Sequence, residues 1–365
     1  MAAMKNSKIW ICLVAALLFL LYAERTAEAV TESLSVCARS IIPSLFPYMV
    51  ISALLTQTGT DAVIGRLAAR PVRWLFGFSA EAAPAVALGA LCGFPVGALS
   101  AVNGYEAGRL SKAETERVLA VCNNTGPAFL TGVIGGVYWN DASFGIFLYV
   151  MQITAAVLIG IFSADRRRSD NIGVKAVSCS RTEPQRESFL SQLSRAVTSA
   201  SQNMIVICGF ILFFSVIVDL LLPVFELLCP SGYLGAAVVS LLEFSAAARC
   251  AVLLPDAAAA AGFTAFAVGW AGISVHAQVT AFAGKHRFCM KRYYFCKLTQ
   301  GGLCAVGAYF YVRLTGIVPC SNAFAGSVTY LLPYTAAMDA AFFGCCVYMA
   351  FCVFKGNGFV NVKDK

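Results

Sequence analysis

Charge is scarce in this chain. Asp, Glu, Lys and Arg make up 13% of its 365 residues and hydrophobic residues 59%, where soluble domains carry about 25% and roughly 45–50%. Mean hydropathy is +0.74. A soluble globular domain is excluded, and an all-α polytopic membrane protein held in a lipid bilayer is expected. Histidine is scarcer still: His276 and His286 stand alone, and neither a CxxC pair nor a His–Cys cluster at ligand spacing occurs. With no candidate metal set and no nucleophile–base pair, no metal, no cofactor and no enzymatic activity are expected. A disulfide framework is missing too. The 15 cysteines are odd in number, and Cys12, Cys208, Cys345, Cys346 and Cys352 lie inside apolar runs, as small buried hydrophobes do. The net charge of +8 would suggest nucleic acid in a soluble chain. Here it reports topology, because Lys and Arg concentrate in loops that stay cytoplasmic, and no nucleic-acid partner follows.

What is present is polarity in unexpected places. Cys122-Asn123-Asn124-Thr125-Gly126-Pro127 interrupts an apolar run from Val118 to Val137 that would otherwise read as one membrane-spanning helix. Polar side chains and broken backbone are tolerated in hydrocarbon only where protein or a wet cavity surrounds them, and broken helices of this kind form binding sites in secondary transporters. The competing reading is a kinked helix whose asparagines bond neighbouring helices.

Along the chain, Lys5 and Lys8 precede an apolar stretch from Ile9 to Tyr22. It fits an uncleaved signal anchor (residues 1–30) better than a signal peptide, although Ala27-Glu28-Ala29 offers a cleavage site. Val36 to Thr56 is a second span, which Pro43 and Pro47 should kink. Arg66, Arg70 and Arg73, with Trp74 and Phe76, mark an amphipathic stretch at the cytoplasmic surface. Ala82 to Val102 is split by Cys92-Gly93-Phe94-Pro95-Val96-Gly97 into two arms. Each is about ten residues or roughly 15 Å long, half the hydrocarbon thickness, so a re-entrant hairpin fits better than a kinked span. Ser111 and Glu114 make a capping box for the helix entering the broken span. Asp141 marks an outer turn, and Phe144 to Phe162 returns inward, closing a first repeat over residues 31–163.

A basic cytoplasmic linker occupies residues 164–202, with Phe189 to Ser201 amphipathic enough to lie on the membrane surface. The second repeat, 203–316, runs upside down to the first. Met204 to Leu228 crosses outward, Leu234 to Leu254 is a hairpin broken at Glu243-Phe244-Ser245, and Phe263 to Ala283 crosses inward carrying Gly272-Ile273-Ser274-Val275-His276-Ala277-Gln278. Tyr293 to Thr315 returns outward, and a C-terminal helix, Leu331 to Phe354, ends the chain within 317–365. The expectation is about eight transmembrane helices plus two re-entrant hairpins in an inverted repeat, both termini cytoplasmic, with the site at the repeat interface.

The candidate binding residues are Asn123, Asn124 and Thr125 from the first half, Glu243, Ser245, Ser274, His276 and Gln278 from the second, and the hairpin tip Gly93, Phe94, Pro95 and Gly97 as backbone donors. Glu243 is expensive in a membrane without a partner, and a structural pair with Arg249 is the alternative to function. Ser274, His276 and Gln278 step by about 200° each on a regular helix. Either one of them faces a cavity or the helix is unwound there. Arg249 and His276 are the only basic side chains expected near the breaks.

Ile41-Ile42-Pro43-Ser44-Leu45-Phe46-Pro47, Gly93-Phe94-Pro95-Val96-Gly97, the Asn-Asn break and the Ser-x-His-Ala-Gln motif, in this order over roughly residues 30 to 315, resemble sporulation integral membrane proteins of the nucleoside-recognition Gate-domain family. Glu243-Phe244-Ser245-Ala246-Ala247 departs from the family's acidic hairpin pattern, where a glycine follows the hydroxyl residue. The resemblance implies a plan like that of concentrative nucleoside transporters. It also implies a transporter for a small organic anion, dipicolinic acid, across the outer forespore membrane of an endospore former. A nucleoside or other small polar solute, or a non-transporting membrane scaffold, are the alternatives. The sequence leaves open whether a proton or a sodium ion is coupled and whether the chain forms a homo-oligomer.

Overall fold

In hydrocarbon each backbone N–H and C=O needs a partner within its own segment, which only a helix supplies without a closed barrel. Among residues 2–58, 61–162 and 188–320, which the computed structural model describes, every regular element is helical. The expected helix Leu331 to Phe354 and most of the basic linker lie outside the described residues. Among the described residues three helices can cross a membrane by length and composition: Ala142–Phe162, Phe189–Leu228 and Ala257–His286. A fourth joins them if Gly65–Phe76 and Ala80–Leu91, bent by 112° to one another, count as one span.

The chain opens with α1 (Ala2–Leu21) and α2 (Ala23–Val36), parted at Tyr22. A π-helical turn, Cys37–Ile41, leads into α3 (Ile42–Gln57) directly ahead of Pro43, and Pro47 lies inside that helix. A π turn is one of the usual ways a helix absorbs a local fault. Arg66, Arg70 and Arg73 follow on α4 (Asp61–Phe76), which exposes Trp74 and buries Phe76.

The split segment folds as two short helices, α5 (Ala83–Leu91) and α6 (Val96–Glu106), packed against each other across the tip Cys92–Pro95. Ser111 caps α7 (Lys112–Cys122) by accepting from the Glu114 N–H at 3.2 Å. Only that half of the expected capping box forms. The Glu114 carboxylate instead accepts from the Ser79 N–H at 2.7 Å, tying α7 to the segment after α4. After the break, a π-helical stretch, Phe129–Tyr138, reaches Asp141, which caps α8 (Ala142–Phe162) by accepting from the Ser143 N–H at 2.8 Å.

One 40-residue helix, α9 (Phe189–Leu228), replaces the expected surface segment and separate span. No glycine or proline separates Ser201 from Met204, so nothing ends the helix there. At 1.5 Å per residue α9 is about 60 Å long, twice the hydrocarbon thickness. The second split segment is α10 (Tyr233–Leu242) and α11 (Phe244–Ala251), joined through Glu243 alone. Then come α12 (Ala257–Trp270), α13 (Gly272–Ala283) and α14 (Lys291–Thr315).

Helices α12 and α14 make the most extensive packing in the fold. A β-carbon on Gly269 would lie 2.8 Å from Gly301 Cα, so the contact is backbone on backbone, the usual membrane solution when small residues face each other. At one end of the molecule the basic segments of the two halves meet. His286 lies 2.8 Å from Glu106, and the Cys289 N–H donates to Glu116 at 2.7 Å.

Candidate binding site at two helix breaks

The first break follows from the residues that make it. Pro127 has no N–H, so it cannot serve the Asn123 carbonyl four residues earlier, and the helix ends at Cys122. The exposed backbone is then held by side chains from other helices. Gln152 of α8 clamps Thr125 from both sides: its Oε1 accepts the Thr125 N–H at 3.1 Å and its Nε2 donates to the Thr125 carbonyl at 2.8 Å. Thr125 Oγ1 donates to the Val268 carbonyl of α12 at 3.1 Å. Asn124 spends both side-chain atoms on the fold, donating to the Val121 carbonyl and accepting from Gln300 Nε2, each at 2.8 Å.

The first hairpin tip rests on this break. The Phe94 N–H donates to the Asn124 carbonyl, and Pro95 starts α6 as its N-cap. Gly93 has φ +80°, and a β-carbon there would strike the Gly126 nitrogen; one on Gly97 would strike the Cys122 carbonyl. Only glycine permits both the angle and the approach.

A second break carries a comparable contact with different side chains. Helix α12 ends at Ala271 (φ +75°) and α13 begins at Gly272 (φ +77°), so the break precedes the Ser-x-His-Ala-Gln motif, which is itself regular helix. The second hairpin tip rests on that break, because a β-carbon on Gly272 would lie 2.9 Å from the Leu242 carbonyl and 3.1 Å from Glu243 Cα. Glu243 is extended (φ −147°, ψ 122°) and caps α11, accepting from the Ala246 N–H and from Ser245 Oγ at 2.6 Å each. The N-terminus of α11 thus already holds a carboxylate.

Both halves converge. Phe94 and Phe244, one from each hairpin, meet edge to face with ring centroids 5.0 Å apart. Asn123 Nδ2 donates to Tyr293 Oη at 2.7 Å, and Tyr293 Oη lies 3.0 Å from His276 Nδ1. If Tyr293 Oη accepts from Asn123 and donates to His276 Nδ1, the imidazole carries its proton on Nε2, which has no protein acceptor among the described residues. Beside them Lys297 of α14, completely buried, donates to the Asn123 carbonyl at 2.6 Å and to Gln300 Oε1 at 2.7 Å. No carboxylate among the described residues forms an ion pair with it.

Several sequence expectations are corrected here. Arg249 pairs with Glu32 of α2, not with Glu243. The basic side chain at the breaks is Lys297, in addition to His276. Ser274, His276 and Gln278 are all buried on an unbroken helix, because α6, α9 and α10 pack on α13 and leave open only the face that carries Ile273 and Thr280. Tyr293, Lys297, Gln300 and Gln152 are the site residues that sequence reasoning missed.

Among the described residues, buried polar atoms that make no protein hydrogen bond include Asn123 Oδ1, Glu243 Oε1, Ser274 Oγ, His276 Nε2 and both amide atoms of Gln278 on the candidate residues, and Thr26 Oγ1, Ser79 Oγ, Trp139 Nε1 and Thr264 Oγ1 elsewhere. Such atoms are rare in folded proteins and costly in a membrane. Two cavities among the described residues are lined by other side chains. A cavity of about 120 Å³ lies between α3, α6 and the start of α9, lined by Ser52, Gln57, Ser100, Asn103, Ser199 and Asn203 among others. A smaller one of about 10 Å³, room for roughly one water, lies beside Ser245 and Arg249.

The chain is similar to the sporulation integral membrane protein YlbJ of Bacillus subtilis (strain 168), with 25% identity over 320 residues that cover 76% of each chain. With the three apolar helices among the described residues, the similarity makes the chain an integral membrane protein. No protein-family model and no solved structure matches.

Proposed function

With a YlbJ-like integral membrane protein as the premise, we propose that the chain is a transporter of a small organic anion, with dipicolinate the first candidate, acting in the outer forespore membrane during sporulation. In this reading eight spans and two re-entrant hairpins form an inverted repeat. The basic segments Arg109–Arg117 and Lys285–Arg292 face the cytoplasm, and the solute binds where the two breaks meet. The repeat is supported by the same contact occurring twice: a hairpin tip packed on a broken span, Gly93 on Gly126 and Glu243 on Gly272. A sporulation role is what the relative's name suggests.

The observation that carries the anion is Lys297. Among the described residues no carboxylate pairs with this buried ammonium, so only neutral oxygens offset its charge and an anionic solute would be drawn to it. It has three N–H donors and uses two on protein oxygens. Asn123, Ser274, His276 and Gln278 supply further unpartnered polar atoms for a planar carboxylate solute.

A second reading, an uncharged nucleoside-like solute, is favoured by the 120 Å³ cavity, whose lining has hydroxyls and carboxamides but no charged side chain. Uptake of labelled dipicolinate into proteoliposomes containing the purified chain tests the first reading. Saturable uptake that Asn123→Ala and Lys297→Met both abolish is expected. Uptake no faster than in empty vesicles would overturn it.

A further inference from the structure

We infer that the Lys297 ammonium is the resident cation of the first helix break, so that the protein holds a fixed positive charge where a broken helix would otherwise take a sodium ion. In broken-helix transporters, carbonyls freed by unwinding coordinate Na⁺. Here the freed carbonyl is that of Asn123, deprived of its helical partner by Pro127, and it lies 2.6 Å from Lys297 Nζ. A second oxygen is aimed at the same point. Gln300 sits three residues on from Lys297, on the same face of α14. Its Nε2 is committed to Asn124 Oδ1 at 2.8 Å and the Gln152 carbonyl at 2.9 Å, which turns its Oε1 onto the ammonium at 2.7 Å. A third oxygen, Asn123 Oδ1, is buried on the same residue without a partner.

Neutral oxygens of carbonyl and amide type, held by hydrogen bonds that do not involve the Lys297 side chain, are the ligands a hard monovalent cation uses. They are also acceptors for an ammonium. Lys297 fills the position covalently, and binding at this site requires no metal cation whatever solute the site takes.

The test is thermal unfolding of the purified full-length chain in detergent, in sodium chloride against choline chloride at equal ionic strength, with no organic solute added. Wild type should unfold at the same temperature in both salts. Lys297→Ala, which empties the position and leaves its oxygens, should be stabilised by sodium or by methylammonium in a saturable way, by at least about 2 °C. Lys297→Met, which fills the space with an uncharged chain, should respond to neither. If Lys297→Ala folds only in sodium or methylammonium, the inference also stands. A sodium-specific rise in wild type would overturn it, as would Lys297→Ala that is indifferent to both cations or unfolded in all salts. Because no organic solute enters the measurement, failure of the anion-transport reading leaves its outcome unchanged.

Discussion

Gln152 is a single side chain on which the first break depends. Its amide accepts the Thr125 N–H at 3.1 Å and donates to the Thr125 carbonyl at 2.8 Å, and both residues are almost wholly buried. Gln152→Leu keeps most of the volume, so little cavity term arises, but both Thr125 backbone groups lose their partners. A buried donor or acceptor left unsatisfied costs about 1–3 kcal/mol. The pair should therefore cost about 2–6 kcal/mol, and more toward the upper end where surrounding hydrocarbon offers no water. For a chain of this size, about 1 kcal/mol corresponds to roughly 1.3 °C in unfolding temperature. Gln152→Leu should thus lower the midpoint by about 3–8 °C, measured on the purified protein in detergent by tryptophan fluorescence. A drop of less than about 1 °C, with the variant otherwise like wild type, would refute the idea that α8 holds the break open through this clamp.

Cysteine-accessibility labelling should place the Arg109 and Lys291 positions on the cytoplasmic side and the Asp141 position outside; Arg109 labelled from outside would mean that Ala82 to Val102 crosses the membrane and that the inverted repeat is wrong. Gly97→Val should abolish solute uptake at near-normal protein level, since its β-carbon would strike the Cys122 carbonyl. Uptake assayed beside a quantitative membrane blot checks this, and wild-type uptake would rule out a close tip contact. Asn124→Ala should lower the unfolding temperature more than Asn123→Ala. Asn124 loses two fold-holding hydrogen bonds, whereas Asn123 keeps its Oδ1 unpartnered; the reverse order in paired melts would reverse the assignment of packing and binding roles.

The breaks were readable because hydrocarbon makes polarity conspicuous: Asn-Asn-Thr-Gly-Pro and Glu243 mark two of the interruptions directly. The break at Ala271–Gly272 lies just ahead of the Ser-x-His-Ala-Gln motif. Lys297 was overlooked because Lys291 and Arg292 make it look like the end of a basic loop. Yet it lies six residues inside α14, nearly two turns, and Gln300 at the i+3 position was a same-face partner in plain view. Gln152 was equally available, as a lone carboxamide in an apolar 21-residue helix. The Arg249–Glu32 pair was not, since its members are 217 residues apart and no local rule connects them. Nor was the continuity of α9, because the polarity that suggested a surface segment says nothing about whether the helix stops.

The central claim is that the two breaks form one site that prefers an anion. Equilibrium binding of dipicolinate and of an uncharged nucleoside to the purified wild-type chain, by calorimetry in detergent, tests it most directly. The account predicts that dipicolinate binds more tightly than the nucleoside and that Lys297→Met removes this preference. Tighter binding of the neutral nucleoside, or an anion preference that survives the loss of Lys297, would contradict it.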